Sequence, residues 1–189
     1  GAALLAAVHP HVLKELSHRD PLLVVVARGG ANAVHVDDVL ARLVDEGVDV
    51  IDIGLASTPM SYFANTFFKA DGSVMITASH NTKEWNGCKL CRANAVPISG
   101  ATGIKDIEKM AMSGDLGEDA AVKGVIEKVD VSKAYGEHVR RFAHLAKPLH
   151  LAMDFANGMG IAESVAFAGS DMTYDALYGE YNGDFPNHD

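Results

Sequence analysis

Apolar residues fall along this chain in two rhythms, and the alternation between them sets out the elements. Continuous apolar runs occupy residues 22–27 (Leu-Leu-Val-Val-Val-Ala), 48–53 and the stretch near 73–78, as expected of parallel strands covered on both faces. Between the first two runs, residues 34–46 place Val36, Val39, Leu40, Leu43 and Val44 at helical spacing, with Gly47 as the residue that ends the turn. Gly54 and Pro59 break the second run, and residues 60–68 read as a short helix bearing aromatic side chains. An amphipathic helix over residues 2–18, bent near Pro10, is expected before them from Leu4, Leu5, Val8, Val12, Leu13 and Leu16. Strand, helix, strand, helix, strand with short connections implies a parallel sheet with right-handed crossovers.

Beyond the third run the pattern predicts a strand at 89–92, a turn at 97–100 and a helix at 104–112 capped by Thr102. Residues 113–131 are Gly-rich and acidic, and read as a surface excursion leading to a linker. Ser132 is then expected to cap a helix to about Ala146, with Tyr135, Val139, Phe142 and Leu145 inward. A strand at 148–154, a glycine loop and a helix at 161–167 repeat the earlier order, and residues 171–178 and the tail follow this one clear unit. The fold class read from this is α/β, a mostly parallel sheet with helices on both faces, followed by an incomplete second α/β domain. The domains expected are 1–131 and 132–189, the second either truncated or leaning on the first, because fewer than about sixty residues rarely bury enough surface to stand alone.

Composition narrows the partners. The formal net charge is −9 and no basic stripe offers to neutralise phosphates, so no nucleic-acid partner is expected. Residues 2–8 are apolar but too few to span a bilayer, and no membrane partner is expected either. A local site rich in N–H donors can still take a phosphorylated metabolite. Cys88 and Cys91 are spaced C-x-x-C on a predicted strand, where residues three apart face opposite ways, and no second pair completes a zinc site. Reduced thiols fit a cytoplasmic protein.

The candidate chemistry lies in residues 72–90. The apolar run breaks there into a polar loop holding Ser79, His80, Asn81, Lys83, Glu84, Asn86 and Lys89. Ser79 beside His80 raises a hydrolase reading, but adjacent residues of an extended loop point apart and no G-x-S-x-G elbow surrounds the serine. Phosphate chemistry is the better reading: a serine can carry a phosphoryl group, His80 and Lys89 supply charge and proton transfer, and Asn81 and Asn86 supply neutral hydrogen bonds. A polar surface loop whose Asn and Gly only make turns is the plain alternative.

Thr77-Ala78-Ser79-His80-Asn81 with Asn86-Gly87-Cys88-Lys89 resembles the active-site serine loop of the α-D-phosphohexomutases, T-A-S-H-N-P followed by N-G-x-K. Gly54 to Met60 is similar to that family's G-x-x-x-T-P segment, Asp154 to Gly160 to its D-x-x-N-G-x-G, and Gly183 to His188 to its G-x-F-P-N-H. Residues 88–103 are most similar to the phosphomannomutase branch. The resemblance implies a phosphoserine at Ser79 that exchanges a phosphoryl group with a hexose phosphate through a hexose 1,6-bisphosphate. It implies His80 and Lys89 around the transferring phosphate, Asn81 and Asn86 as substrate contacts, and Mg2+ held by a phosphoserine oxygen at Ser79. The other magnesium ligands would be three aspartates of a D-G-D-x-D-R loop that these 189 residues do not contain.

Two differences stand against the family pattern. Thr82 replaces the loop proline, and the G-x-D-x-R segment appears as Ala27-Arg28-Gly29-Gly30-Ala31, without its Asp and Arg. They leave open a second expectation, a non-catalytic relative that acts by binding.

Overall fold

The computed structural model describes residues 22–30, 35–82, 84–113 and 120–187. The first helix expected at 2–18, together with Ala31, Lys83, residues 114–119 and His188, lies outside them. Six strands form the main sheet: β1 (Leu23–Arg28), β2 (Asp49–Leu55), β3 (Gly72–Ile76), β4 (Cys88–Arg92), β5 (Val96–Pro97) and β6 (Ile126–Lys128), in the order β5-β4-β3-β1-β2-β6. β1 pairs in parallel with both β2 and β3, β6 runs parallel to β2, and β4 and β5 turn antiparallel.

The continuous apolar runs are explained by two core layers. Val24 and Val26 of β1 pack with Val36, Val39, Leu40 and Leu43 of helix α1 (Val36–Asp45), whereas Val25 and Ala27 pack with Met60 and Ala64 of helix α2 (Thr58–Phe67). Successive strand side chains serve opposite faces, so a strand covered twice has no room for a polar alternation. Gly47 takes φ +76° after α1, as a C′ glycine should. α2 starts two residues earlier than the aromatic pattern indicates, because the Ser57 hydroxyl accepts the Met60 N–H at 3.3 Å and Pro59 fits its first turn. The cysteines of β4 face apart, as expected from strand spacing: Cys88 packs on the α1 layer, while Cys91 shares a hydrogen bond with Ser73. Burial pushes the Cys88 thiol up to about 11 and raises that of Cys91 as well.

Several local expectations are corrected. Residues 126–128 of the acidic excursion are the edge strand β6, joined to the sheet by a parallel register from Val50↔Ile126. Val96 and Pro97 pair with β4 instead of turning; Pro97 is tolerated because it sits on an edge. Helix α3 (Lys105–Ser113) follows a wider turn in which Ser99 and Thr102 cap each other's backbone reciprocally. Helix α4 (Ser132–Arg140) has Val131 as its N-cap without a side-chain bond. It stops at Arg140, where i to i−3 bonds from Arg141 and Phe142 tighten the chain, and this leaves Phe142 72% exposed. The helix expected at 161–167 is only α5 (Gly160–Glu163) with a 3-10 turn after it.

β7 (Leu149–Asp154) and β8 (Met172–Leu177) make a separate parallel pair and do not extend the first sheet. Phe155, Phe167 and Tyr174 cover its inner face, with ring centroids 5.8 and 5.3 Å from Tyr174. Val131, Tyr135 and Ala162 pack into the α2 layer of the main sheet, so the later segments are held against the earlier ones by apolar contact.

The topology fixes where a ligand can sit. From β1 the chain crosses by α1 to β2 on one side, then by α2 back to β3 on the other side. The carboxyl ends of β1 and β3 therefore open into a crevice at the point where the strand order reverses.

Candidate active site

Both sequences that leave these strand ends are held by short bonds. The Gly29 N–H donates to the Ile76 carbonyl at 2.8 Å, which joins the end of β1 to the end of β3. A Cβ at Gly29 would lie 2.7 Å from Met75 Cε and 2.8 Å from Thr77 Cβ, so only glycine lets the two ends meet this closely. Thr77 is the pin. Its N–H donates to Gly87 O at 3.0 Å, its hydroxyl donates to Gly29 O at 3.0 Å, and the same oxygen accepts the Ser79 N–H at 3.0 Å.

Ser79 is lifted out by this pin. It has φ +59°, a left-handed conformation that costs a non-glycine residue roughly 1–2 kcal/mol. The surrounding bonds over-determine the turn, and the serine is exposed three residues past the strand instead of continuing into the core. His80 and Asn81 follow it, also exposed, with the Asn81 N–H donated to Ala78 O at 3.1 Å.

Lys89 comes from β4, opposite Met75 in the antiparallel register. Its ammonium donates to Thr58 Oγ1 at 3.1 Å, and that hydroxyl donates to Met75 Sδ at 3.3 Å. A half-buried cation is thus fixed at the first residue of α2 and beside the serine loop.

A cavity of about 760 Å3 gathers these groups: Gly29, Gly30, Thr58, Thr77, Ser79, His80, Asn81 and Lys89 all line it. Its size is that of a small-molecule site. Asn86 is half-buried and is not among the lining residues, so of the five predicted site residues four come together and the fifth does not join them.

The opposite wall comes from the loop 156–159 and from residues 181–185. Asn157 organises it. This residue is 8% exposed and uses every polar group: its N–H donates to Tyr178 O at 2.9 Å, its carbonyl accepts Asn182 N–H at 3.0 Å, its Nδ2 donates to Glu180 O at 3.1 Å, and its Oδ1 accepts Asn187 Nδ2 at 2.7 Å. Two segments about thirty residues apart become one wall through the main chain and side chain of a single residue. Sequence reasoning named both segments without giving Asn157, Thr58 or Thr77 a role; the signal was the repeated Asn-Gly dipeptide and the single Thr58-Pro59, which mark turns but not what the turns grip.

Among the described residues no group of three or more His, Cys, Asp or Glu could hold a metal. Among them, too, no helix is long and apolar enough to cross a membrane.

Residues 30–117 match the family described as "Phosphoglucomutase/phosphomannomutase, alpha/beta/alpha domain I". The chain is 38% identical over 159 residues to a phosphomannomutase of Escherichia coli, covering 78% of this chain and 35% of that protein. It is 35% identical over 150 residues to a phosphoglucomutase of Neisseria gonorrhoeae, covering 77% and 31%. A crystal structure of a phosphoglucomutase/phosphomannomutase family protein from Burkholderia thailandensis superposes with a TM-score of 0.80 at 26% identity, over 100% of this chain and 42% of that one. The chain spans about a third of the length of these two curated relatives.

Proposed function

This chain belongs to the phosphoglucomutase/phosphomannomutase family, and from that premise we propose that it carries the phosphoserine of a phosphohexomutase that moves a phosphoryl group between positions 1 and 6 of a hexose. The observation that carries the reading is Ser79: exposed, held at φ +59° beyond β3, and facing the same cavity as His80, Asn81 and Lys89.

In this reading phosphorylated Ser79 gives its phosphoryl group to the free hydroxyl of a hexose phosphate. The bond from phosphorus to the serine oxygen breaks as the bond to the sugar oxygen forms, the sugar hydroxyl proton leaves to a general base, and the freed serine oxygen takes up a proton, for which the Lys89 ammonium is the candidate donor. The resulting hexose 1,6-bisphosphate turns over and returns its other phosphoryl group to Ser79, releasing the isomeric hexose phosphate. Transfer of this kind is mostly positioning and charge stabilisation, which is what His80, Lys89 and the N–H groups of a rigid loop provide. Asn81, which lines the cavity, is the substrate contact of this reading, whereas Asn86 does not line it. Magnesium, when bound to a phosphoserine oxygen, would offset the phosphoryl charge, with its other ligands drawn from outside the described residues. A cytoplasmic setting, with no nucleic-acid or membrane partner, completes the reading.

The test is turnover by the whole protein with a hexose 1-phosphate and a trace of hexose 1,6-bisphosphate. Ser79→Ala should abolish conversion, and His80→Ala and Lys89→Met should each lower kcat/KM by roughly two to three orders of magnitude, as when a charge-stabilising donor is lost. A folded wild-type protein that binds the sugar phosphate without converting it would instead identify a non-catalytic relative, consistent with Gly29 and Ala31 standing where the family's G-x-D-x-R segment has its Asp and its Arg.

A further inference from the structure

Glu163, the last residue of α5, is not part of the cavity, yet its carboxylate joins the two walls. One oxygen accepts the Ser57 hydroxyl and the other accepts the Tyr135 hydroxyl. Both donors are buried, at 5% and 6% exposure, and Glu163 is half-buried, so the carboxylate is held by two charge-assisted bonds at a partly shielded place. Burial and the neighbouring carboxylate push the Tyr135 phenol well up, which keeps it a donor.

What lies on each side of Glu163 gives these bonds their meaning. Ser57 is the N-cap of α2 and directly precedes Thr58, the hydroxyl that receives the Lys89 ammonium. On the other side, α5 begins at Gly160, immediately after the cavity-lining loop 156–159. The 3-10 turn that follows is tied to α4 as well, where Arg140 Nη1 donates to Val165 O at 3.2 Å. Hence the polar path from the Lys89 wall to the Asn157 wall runs Lys89, Thr58, Ser57, Glu163.

We infer that Glu163 is a positioning residue, setting the place of Lys89 and the spacing of the two walls through Ser57 and Thr58. It touches no reacting atom. Its kinetic consequence rests on the phosphoserine reading above, but its structural consequence does not. A misplacement of about 1 Å at a transferring group can cost about a hundredfold in rate, so loss of this tie should slow transfer without removing any group that performs it.

The experiment measures two things in the whole protein: the rate at which labelled glucose 1,6-bisphosphate phosphorylates Ser79, and the rate at which an amine-acylating reagent modifies Lys89, read by peptide mass spectrometry. Glu163→Ala should slow labelling roughly ten- to a hundredfold and speed Lys89 modification several-fold, while leaving modification of the remote Lys109 unchanged. Glu163→Gln, which keeps an acceptor for Ser57, should recover part of both. In a double-mutant cycle, Glu163→Ala with Lys89→Met should label no more slowly than Lys89→Met alone, since both changes remove the same contribution. A purely structural Glu163 would make the two losses multiply and leave Lys89 no more reactive, and that result overturns the inference. Should Glu163→Ala fail to fold, Ser57→Ala removes the same arm, and an unchanged Lys89 rate in it counts equally against the inference. If wild-type Ser79 takes no label while Lys89 still responds to Glu163→Gln or Ser57→Ala, the mutase reading fails and the positioning role stands.

Discussion

The two sheets of this chain hold opposite walls of one cavity and are built to different standards. In β1, Val24, Val25, Val26 and Ala27 are all fully buried, and β3 is buried along its whole length. Along β7, and along β8 as far as Asp175, half-buried positions alternate with exposed ones, His150, Thr173 and Asp175 lying on the open face, and β8 ends in the exposed Ala176 and Leu177. Burial on both faces fixes a strand end to within a small displacement, and the loop carrying Ser79 grows from such an end. The facing wall grows from the one-sided pair and is held by hydrogen bonds through Asn157 and Glu163. A rigid half that carries Ser79 and a more compliant half that faces it is the arrangement expected where a ligand must enter and leave.

The comparison predicts unequal stabilities. Leu43→Ala, in the fully buried α1 layer, should cost about 2–5 kcal/mol by lost burial and a residual cavity. Leu151→Ala, half-buried on β7, should cost roughly 1 kcal/mol, because fewer atoms lose their apolar surroundings. Equal losses in denaturant titrations would mean that the two sheets are not differently built.

Next in size is Asn157→Ala, which leaves Glu180 O and Asn187 Nδ2 without their present partner. About 1–2 kcal/mol of local stability should go, read as faster proteolysis within residues 178–187 with hydrogen exchange in β1 and β3 unchanged. Protection lost equally in both sheets would contradict a separately held wall.

The smallest effect belongs to the open face of the second sheet. His150 bridges Thr173 at 2.8 Å and Asp175 at 2.9 Å, but all three are exposed, so His150→Ala should change stability by no more than about 0.5 kcal/mol. A larger loss would show that this face is covered.

What could be read from the sequence followed the same division. The runs at 22–27, 48–53 and 73–78 lie within a residue or two of β1, β2 and β3, because a strand buried on both faces must be apolar throughout. Ser79 was legible for a related reason, as the first polar loop after such a run. β6 was not, since three exposed edge residues, Ile126, Glu127 and Lys128, carry no apolar pattern. Phe142 was misplaced because periodicity continued past Arg140 while the helix did not, and spacing alone does not show where i to i−4 bonding gives way. Asn157 and Glu163 escaped notice because their importance lies in partners distant in sequence; an Asn in a glycine loop and a Glu at a helix end are ordinary in themselves.

The most direct measurement is the location of the phosphoryl group after the whole protein meets labelled hexose 1,6-bisphosphate. Peptide mapping should find the label on the tryptic peptide containing Ser79, and Ser79→Ala should remove it while leaving the unfolding midpoint within about 1 kcal/mol of wild type, as for an exposed loop residue. Stable label on His80 or on any residue outside the cavity, or label that persists in Ser79→Ala, would contradict the account.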